Sequence, residues 1–149
     1  MKNSTRWLML LAALLPFCTA YAATHTINAV GVKFAPMFSY IEAGDTVSWE
    51  GMTGHNVQTI SAMVPEGTEE INTELGENVT ETFSEPGIYV YKCTPHWGAR
   101  MGGVIVVGNP ENAEEIIANY MAAIEGNKAE LLPAKGLLKK LSKDMESRG

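Results

Sequence analysis

From Thr24 to Gly108 the chain never sustains an apolar pattern long enough for a helix. It breaks instead into short β-branched and aromatic runs divided by turn signals. The runs are Thr26–Val32, Phe38–Ile41, Thr46–Trp49, Val57–Ile60, Val79–Phe83, Ile88–Cys93 and Gly103–Val107, and Ala43-Gly44-Asp45, Leu75-Gly76-Glu77 and Pro86-Gly87 punctuate them. Strands this short must bury one face against another layer, so seven of them with such turns predict an antiparallel sandwich. Within Ile88–Cys93 the two-residue period puts Tyr89, Tyr91 and Cys93 on one face and Ile88, Val90 and Lys92 on the other.

After Gly108 the period changes. Asn109 can cap a helix, Pro110 suits its first position, and Glu111, Glu114 and Glu115 favour the positive end of its dipole. Ala113, Ile116, Ile117, Tyr120, Met121 and Ile124 then recur at helical spacing, predicting a helix that ends near Gly126. A second helix is expected over Gly136–Met145, where Leu137, Leu138, Leu141 and Met145 form a stripe opposite Lys139, Lys140 and Lys143. Both stripes read as packing surfaces.

The N-terminus has a different character. Lys2 and Arg6, an apolar run from Trp7 to Leu15, and Ala20-Tyr21-Ala22 form the three-part layout of a secretory signal peptide. The run falls short of the roughly 20 residues a spanning helix needs, so no membrane anchor is expected. The expected division is 1–22 signal peptide, 23–108 sandwich and 109–149 helical extension packed on the same domain, with export to the periplasm. Cys18 belongs to the discarded peptide. Losing Lys2 and Arg6 from 11 basic residues leaves 9 against 17 acidic ones, a net charge of −8, which argues against nucleic acid as a partner.

Cleavage leaves Cys93 as the sole cysteine, so no disulfide can form within the mature chain. An unpaired thiol in an oxidising compartment must be buried, catalytic or bound to metal. Its surroundings decide: Cys93-Thr94-Pro95-His96-Trp97-Gly98-Ala99-Arg100-Met101 sets a thiol, an imidazole and a thioether in one short loop, with Pro95, Gly98, Gly102 and Gly103 as turn residues. His55, at the start of another strand, supplies a fourth group. Two histidines and a cysteine with a weak axial methionine are the donor set of electron-transfer copper. Each residue alone would more often be structural; together they form a specific pattern. Structural zinc prefers four strong ligands, and a Cys-His hydrolase would need a base-orienting partner and a substrate cleft that the sequence does not suggest. No enzyme is therefore expected. His25 has no partner motif and reads as a solvated side chain.

Gly54-His55-Asn56-Val57, Pro65-Glu66-Gly67, Pro86-Gly87-Ile88-Tyr89 and Cys93-Thr94-Pro95-His96, followed by Met101, resemble the cupredoxins, most closely their pseudoazurin branch. The likeness extends from about residue 24 to the C-terminus. It implies a mainly β, antiparallel Greek-key sandwich of about eight strands with two C-terminal α-helices. It also implies one type 1 copper ion on His55, Cys93, His96 and Met101, cycling between Cu(II) and Cu(I), with His96 as the electron exit. Asn56 is then expected to fix the loop around the Cys93 sulfur, the alternative being an ordinary turn residue.

The edge of His96 should surface among Pro95, Trp97, Met52 and Ala99, an apolar patch suited to brief docking, unless Trp97 is simply buried. The implied partners are redox proteins: a c-type cytochrome, a copper nitrite reductase or an amine dehydrogenase. A monomer is expected. The charge departs from the resemblance, because only Lys33, Lys92 and Arg100 face Glu66, Glu69, Glu70, Glu74 and Glu77 as neighbours of that patch. The competing function is a periplasmic copper-binding or delivery protein that does not turn over electrons, although such proteins usually lack a thiolate.

Overall fold

Burial alternates along Asp45–Glu50, where Val47 and Trp49 are fully buried and Thr46 and Ser48 are not, as the pleat of a half-covered strand requires. A computed structural model describes residues 21–148, so the signal-peptide reading and Cys18 lie almost wholly outside the described residues. The strands are β1 (Thr24–Val30), β2 (Lys33–Ala35), β3 (Phe38–Ile41), β4 (Asp45–Glu50), β5 (Gln58–Thr59), β6 (Val79–Phe83), β7 (Gly87–Lys92) and β8 (Gly102–Val107). Helices α1 (Ala113–Gly126) and α2 (Lys128–Arg148) follow.

Two four-stranded sheets, ordered β2-β1-β4-β6 and β3-β8-β7-β5, pack face to face. The expectation of a sandwich of about eight strands with two helices is met. Its sheets are mixed rather than wholly antiparallel: β1 runs parallel to β4, and β3 parallel to β8. The reason lies in the connections. The chain leaves one sheet for the other between β2 and β3 and again between β3 and β4, so neighbours in a sheet are often not consecutive and can return in the same direction.

The first sheet keeps one polar face, carrying Thr46, Ser48, Thr80 and Thr82. The second is covered on both. Tyr89, Tyr91 and Cys93 join Ile27, Val47 and Trp49 in the core between the sheets, while Ile88 and Val90 face Tyr120, Ile124, Leu138 and Leu141 of the helices. This double burial explains why Ile88–Cys93 is apolar on both faces in sequence. Fully burying Leu138 and Leu141 contributes about 1.5–3 kcal/mol each.

The helix ends differ from expectation. A turn at Pro110 precedes α1, with Ala113 N donating to Pro110 O at 3.1 Å, so Asn112 and not Asn109 occupies the cap position. Helix α2 starts at Lys128, well before Gly136, and continues through Pro133. Burial of Leu131 and Ala134 on the sheet outweighs the helix-breaking tendency of that proline. The first predicted strand splits into β1 and β2 because Gly31, at φ 58°, turns the chain back.

Candidate metal centre

Strand β7 carries Cys93 to the end of the sandwich, where Thr94–Ala99 coils into a short 3-10 turn. His96 N donates to Cys93 O at 3.1 Å, and Met101 N to His96 O at 3.2 Å. Cys93 N closes the loop on Met101 O at 2.9 Å. Arg100 reverses the chain in the left-handed region at φ 63°. These bonds bring residues 93, 96 and 101 around one point before β8 begins.

His55 arrives from the connection between β4 and β5. Its N–H donates to Met52 O at 2.8 Å, and its carbonyl accepts Gly76 N at 2.8 Å, so the main chain is held on both sides of the ring. Its Nδ1 lies 3.6 Å from Cys93 Sγ, and His96 Nδ1 lies 3.4 Å from the same sulfur. The donor atoms of His55, Cys93 and His96 all lie within 4.8 Å of one another. Bonds of about 2.0–2.1 Å to imidazole and about 2.3 Å to thiolate, meeting at tetrahedral to trigonal angles, would separate N from S by about 3.6–3.8 Å. The cluster therefore has the dimensions of a single first-row metal site.

Cys93, His55 and Met101 are buried, whereas His96 is partly exposed. Burial, helped by the nearby His96, holds the His55 imidazole below its ordinary pKa. That favours the neutral ring with a lone pair available for metal. Asn56 ties the two halves of the site together: its Oδ1 accepts Thr94 N at 2.8 Å, and its Nδ2 donates to Thr94 Oγ1 at 3.1 Å. Its side chain thus fixes the residue next to Cys93.

Among the expected patch residues, Pro95 and Ala99 are exposed, but Met52 is 1% exposed and Trp97 only 9%. Met52 lies in the core between the sheets, so its place in a docking patch is corrected. Trp97 packs in the helical core, with Nε1 donating to Glu130 O at 2.8 Å, and takes the buried alternative. Gly102 and Gly103 lie in β8 and are required by space rather than by a turn. A Cβ on Gly102 would meet Tyr91 O at 2.8 Å and the Trp97 ring at 2.9 Å. Lys92 is buried and reaches Glu130 at 3.2 Å, so it is no longer a free steering charge. The glutamates at 66, 69, 70, 74 and 77 are all exposed. His25, expected to be solvated, pairs with Asp45 at 2.8 Å.

Sequence reasoning missed the contact of the metal loop with α2. A tryptophan beside a candidate ligand was the only signal, since nothing in the sequence links Trp97 to Glu130.

The family described as copper binding proteins, plastocyanin/azurin family, matches residues 21–108. The chain is 38% identical over 112 residues to a pseudoazurin of Paracoccus pantotrophus, covering 69% of this chain and 77% of that protein. It is 39% identical over 113 residues to a chloroplastic plastocyanin of Physcomitrium patens, covering 64% of this chain and 67% of that protein. The solved pseudoazurin of Methylobacterium extorquens AM1 superposes with a TM-score of 0.65 at 25% identity, over 79% of this chain and 98% of that one.

Proposed function

Because this chain belongs to the plastocyanin/azurin family of copper-binding proteins, and within it to the pseudoazurins, we propose that His55, Cys93, His96 and Met101 hold its type 1 copper ion and that it shuttles electrons between periplasmic redox proteins. It is a single-copper electron carrier and not an enzyme. The observation that carries the ligand assignment is the convergence of two imidazole Nδ1 atoms on one buried sulfur at 3.4 and 3.6 Å.

Copper bound there would supply a one-electron Cu(II)/Cu(I) couple, which the Cys93 thiolate and the Met101 thioether would tune. The protein's part is to hold the donors still. Cys93 and Met101 are locked to each other through the main chain, His55 is pinned at both its N–H and its carbonyl, and Asn56 anchors Thr94. A frame held by these hydrogen bonds has little to rearrange when charge changes. Burial of Cys93, His55 and Met101 keeps water from the donors, while the edge of His96 remains accessible beside Pro95 and Ala99. His96 is therefore the exit we assign for the electron.

Residues 1–22 direct export, and the mature chain works as a monomer. Its partners are of the kind the pseudoazurin resemblance suggests: a c-type cytochrome, a copper nitrite reductase or an amine dehydrogenase. The exposed glutamates favour a partner with a basic docking face.

Absorption spectroscopy tests the assignment. One equivalent of Cu(II) added to the apo-protein should give an intense blue thiolate-to-copper band that bleaches on reduction and returns on oxidation. A colourless copper complex would overturn it and favour a delivery protein.

A further inference from the structure

The start of β1 holds a second set of nitrogen donors, remote from the copper loop. Ala23 N donates to Asp45 Oδ1 at 2.7 Å, and His25 Nε2 meets Asp45 Oδ2 at 2.8 Å. Glu42 N also donates to Asp45 Oδ2, at 3.0 Å. The His25 side chain remains 35% exposed. Its Nδ1 has no hydrogen-bond partner among the described residues.

Cleavage after Ala22 would turn the Ala23 amide into a free α-amine and leave a histidine as the third residue, so that the mature chain begins Ala23-Thr24-His25. In that spacing the amine, the next two backbone nitrogens and the imidazole Nδ1 can close fused five-, five- and six-membered chelate rings in one plane. Planar nitrogen sets are the geometry of Cu(II) and Ni(II). We propose that the processed N-terminus is a second copper(II) site, formed by the Ala23 α-amine, the amide nitrogens of Thr24 and His25, and His25 Nδ1. It rests on the signal-peptide reading, which supplies the free amine.

The strand permits this. Thr24–Ile27 pair only with β4, because β2 meets β1 only from Asn28 to Val30. The first residues can lift from the sheet while the remainder of the β1 ladder stays formed. The cost includes the Thr46 N to Ala23 O bond of 2.9 Å and the two contacts with Asp45. Binding releases the proton of the ammonium and the amide protons of Thr24 and His25, with no change of oxidation state. β4 separates this end of the sandwich from Met52 and His55, a span of about 20 Å. The two coppers therefore occupy opposite poles. Lacking sulfur, the terminal site favours Cu(II) over Cu(I) and holds copper outside the electron relay.

The test uses mature protein recovered after export, its N-terminus determined by mass spectrometry and its blue centre filled with one equivalent of copper. A second equivalent of Cu(II) is then titrated in against free histidine as competitor. The expected result is retention of that equivalent with a square-planar Cu(II) paramagnetic resonance signal and an unchanged blue band. His25→Ala should lose it. So should a chain prepared with one additional residue before Ala23, which keeps every side chain but makes His25 the fourth residue. No binding by the mature chain, or equal binding by the extended one, overturns the proposal. A mature N-terminus other than Ala23 also overturns it and leaves the carrier reading intact. A missing blue band would strike the carrier reading alone.

Discussion

The indole nitrogen of Trp97 donates to the main-chain carbonyl of Glu130 at 2.8 Å, joining the Thr94–Ala99 turn to α2 one residue from His96. Trp97 also packs in the same apolar cluster as Leu137 and Leu138, so the C-terminal helix supports the loop that presents His96. Trp97→Phe keeps most of the ring and removes the donor. We expect a stability loss of about 0.5–1.5 kcal/mol in urea unfolding, with the blue band retained. Unchanged stability would show that this hydrogen bond contributes nothing net.

Asn56 makes a second link, from the segment of His55 to Thr94 beside Cys93. Replacing it with Ala leaves the Thr94 N–H without its partner, which costs about 1–3 kcal/mol where that group stays shielded from water. The expected outcome is lower stability and faster copper loss to a chelator. Asn56→Asp keeps the acceptor for Thr94 N but loses the donor to Thr94 Oγ1, so its chelator rate should fall between the two. A wild-type rate in Asn56→Ala would reduce Asn56 to an ordinary turn residue.

The parts legible in sequence were those governed by local period. The limits of Phe38–Ile41 and Val79–Phe83 are those of β3 and β6, and the two faces of Ile88–Cys93 separate as expected. The approach of His96 to Cys93 was equally legible, since the two lie three residues apart and a lone thiol needs explaining. What escaped depended on partners distant in sequence. Met52 looked like a surface residue because nothing local shows that it lies between two sheets. The start of α2 was hidden by Pro133, whose local cost is outweighed by burial of Leu131 and Ala134. The partner of His25 is not visible in its own segment because Asp45 is twenty residues away.

Gly103 offers a test of packing behind the site. A Cβ there would collide with the hydroxyl and the Cζ of Tyr91. Overpacking a filled core typically costs about 1–3 kcal/mol, and Gly103→Ala should destabilise by that order in urea unfolding. The nearest clash is with the hydroxyl, which has no hydrogen-bond partner among the described residues. Tyr91→Phe should therefore cost little alone and recover part of the loss when combined with Gly103→Ala. Strictly additive effects in that double-mutant cycle would contradict the contact.

Asp45 should leave its mark on acid stability. The Ala23 N–H, then the His25 side chain and the Glu42 N–H, hold its carboxyl below the ordinary value of 3.8. A folded-state pKa lower than the unfolded one means that the unfolded chain binds the proton more readily. The stabilisation is thus fully present above the unfolded value and disappears as pH falls through the lower, folded one. Urea midpoints of the wild type and Asp45→Asn, measured from about pH 2 to 6, should diverge as pH rises through this window and differ by a constant amount above it. Asp144 and Glu125, also held below their ordinary values, titrate in both proteins and cancel in the difference. A difference independent of pH throughout would mean that Asp45 acts by shape alone and not through its charge.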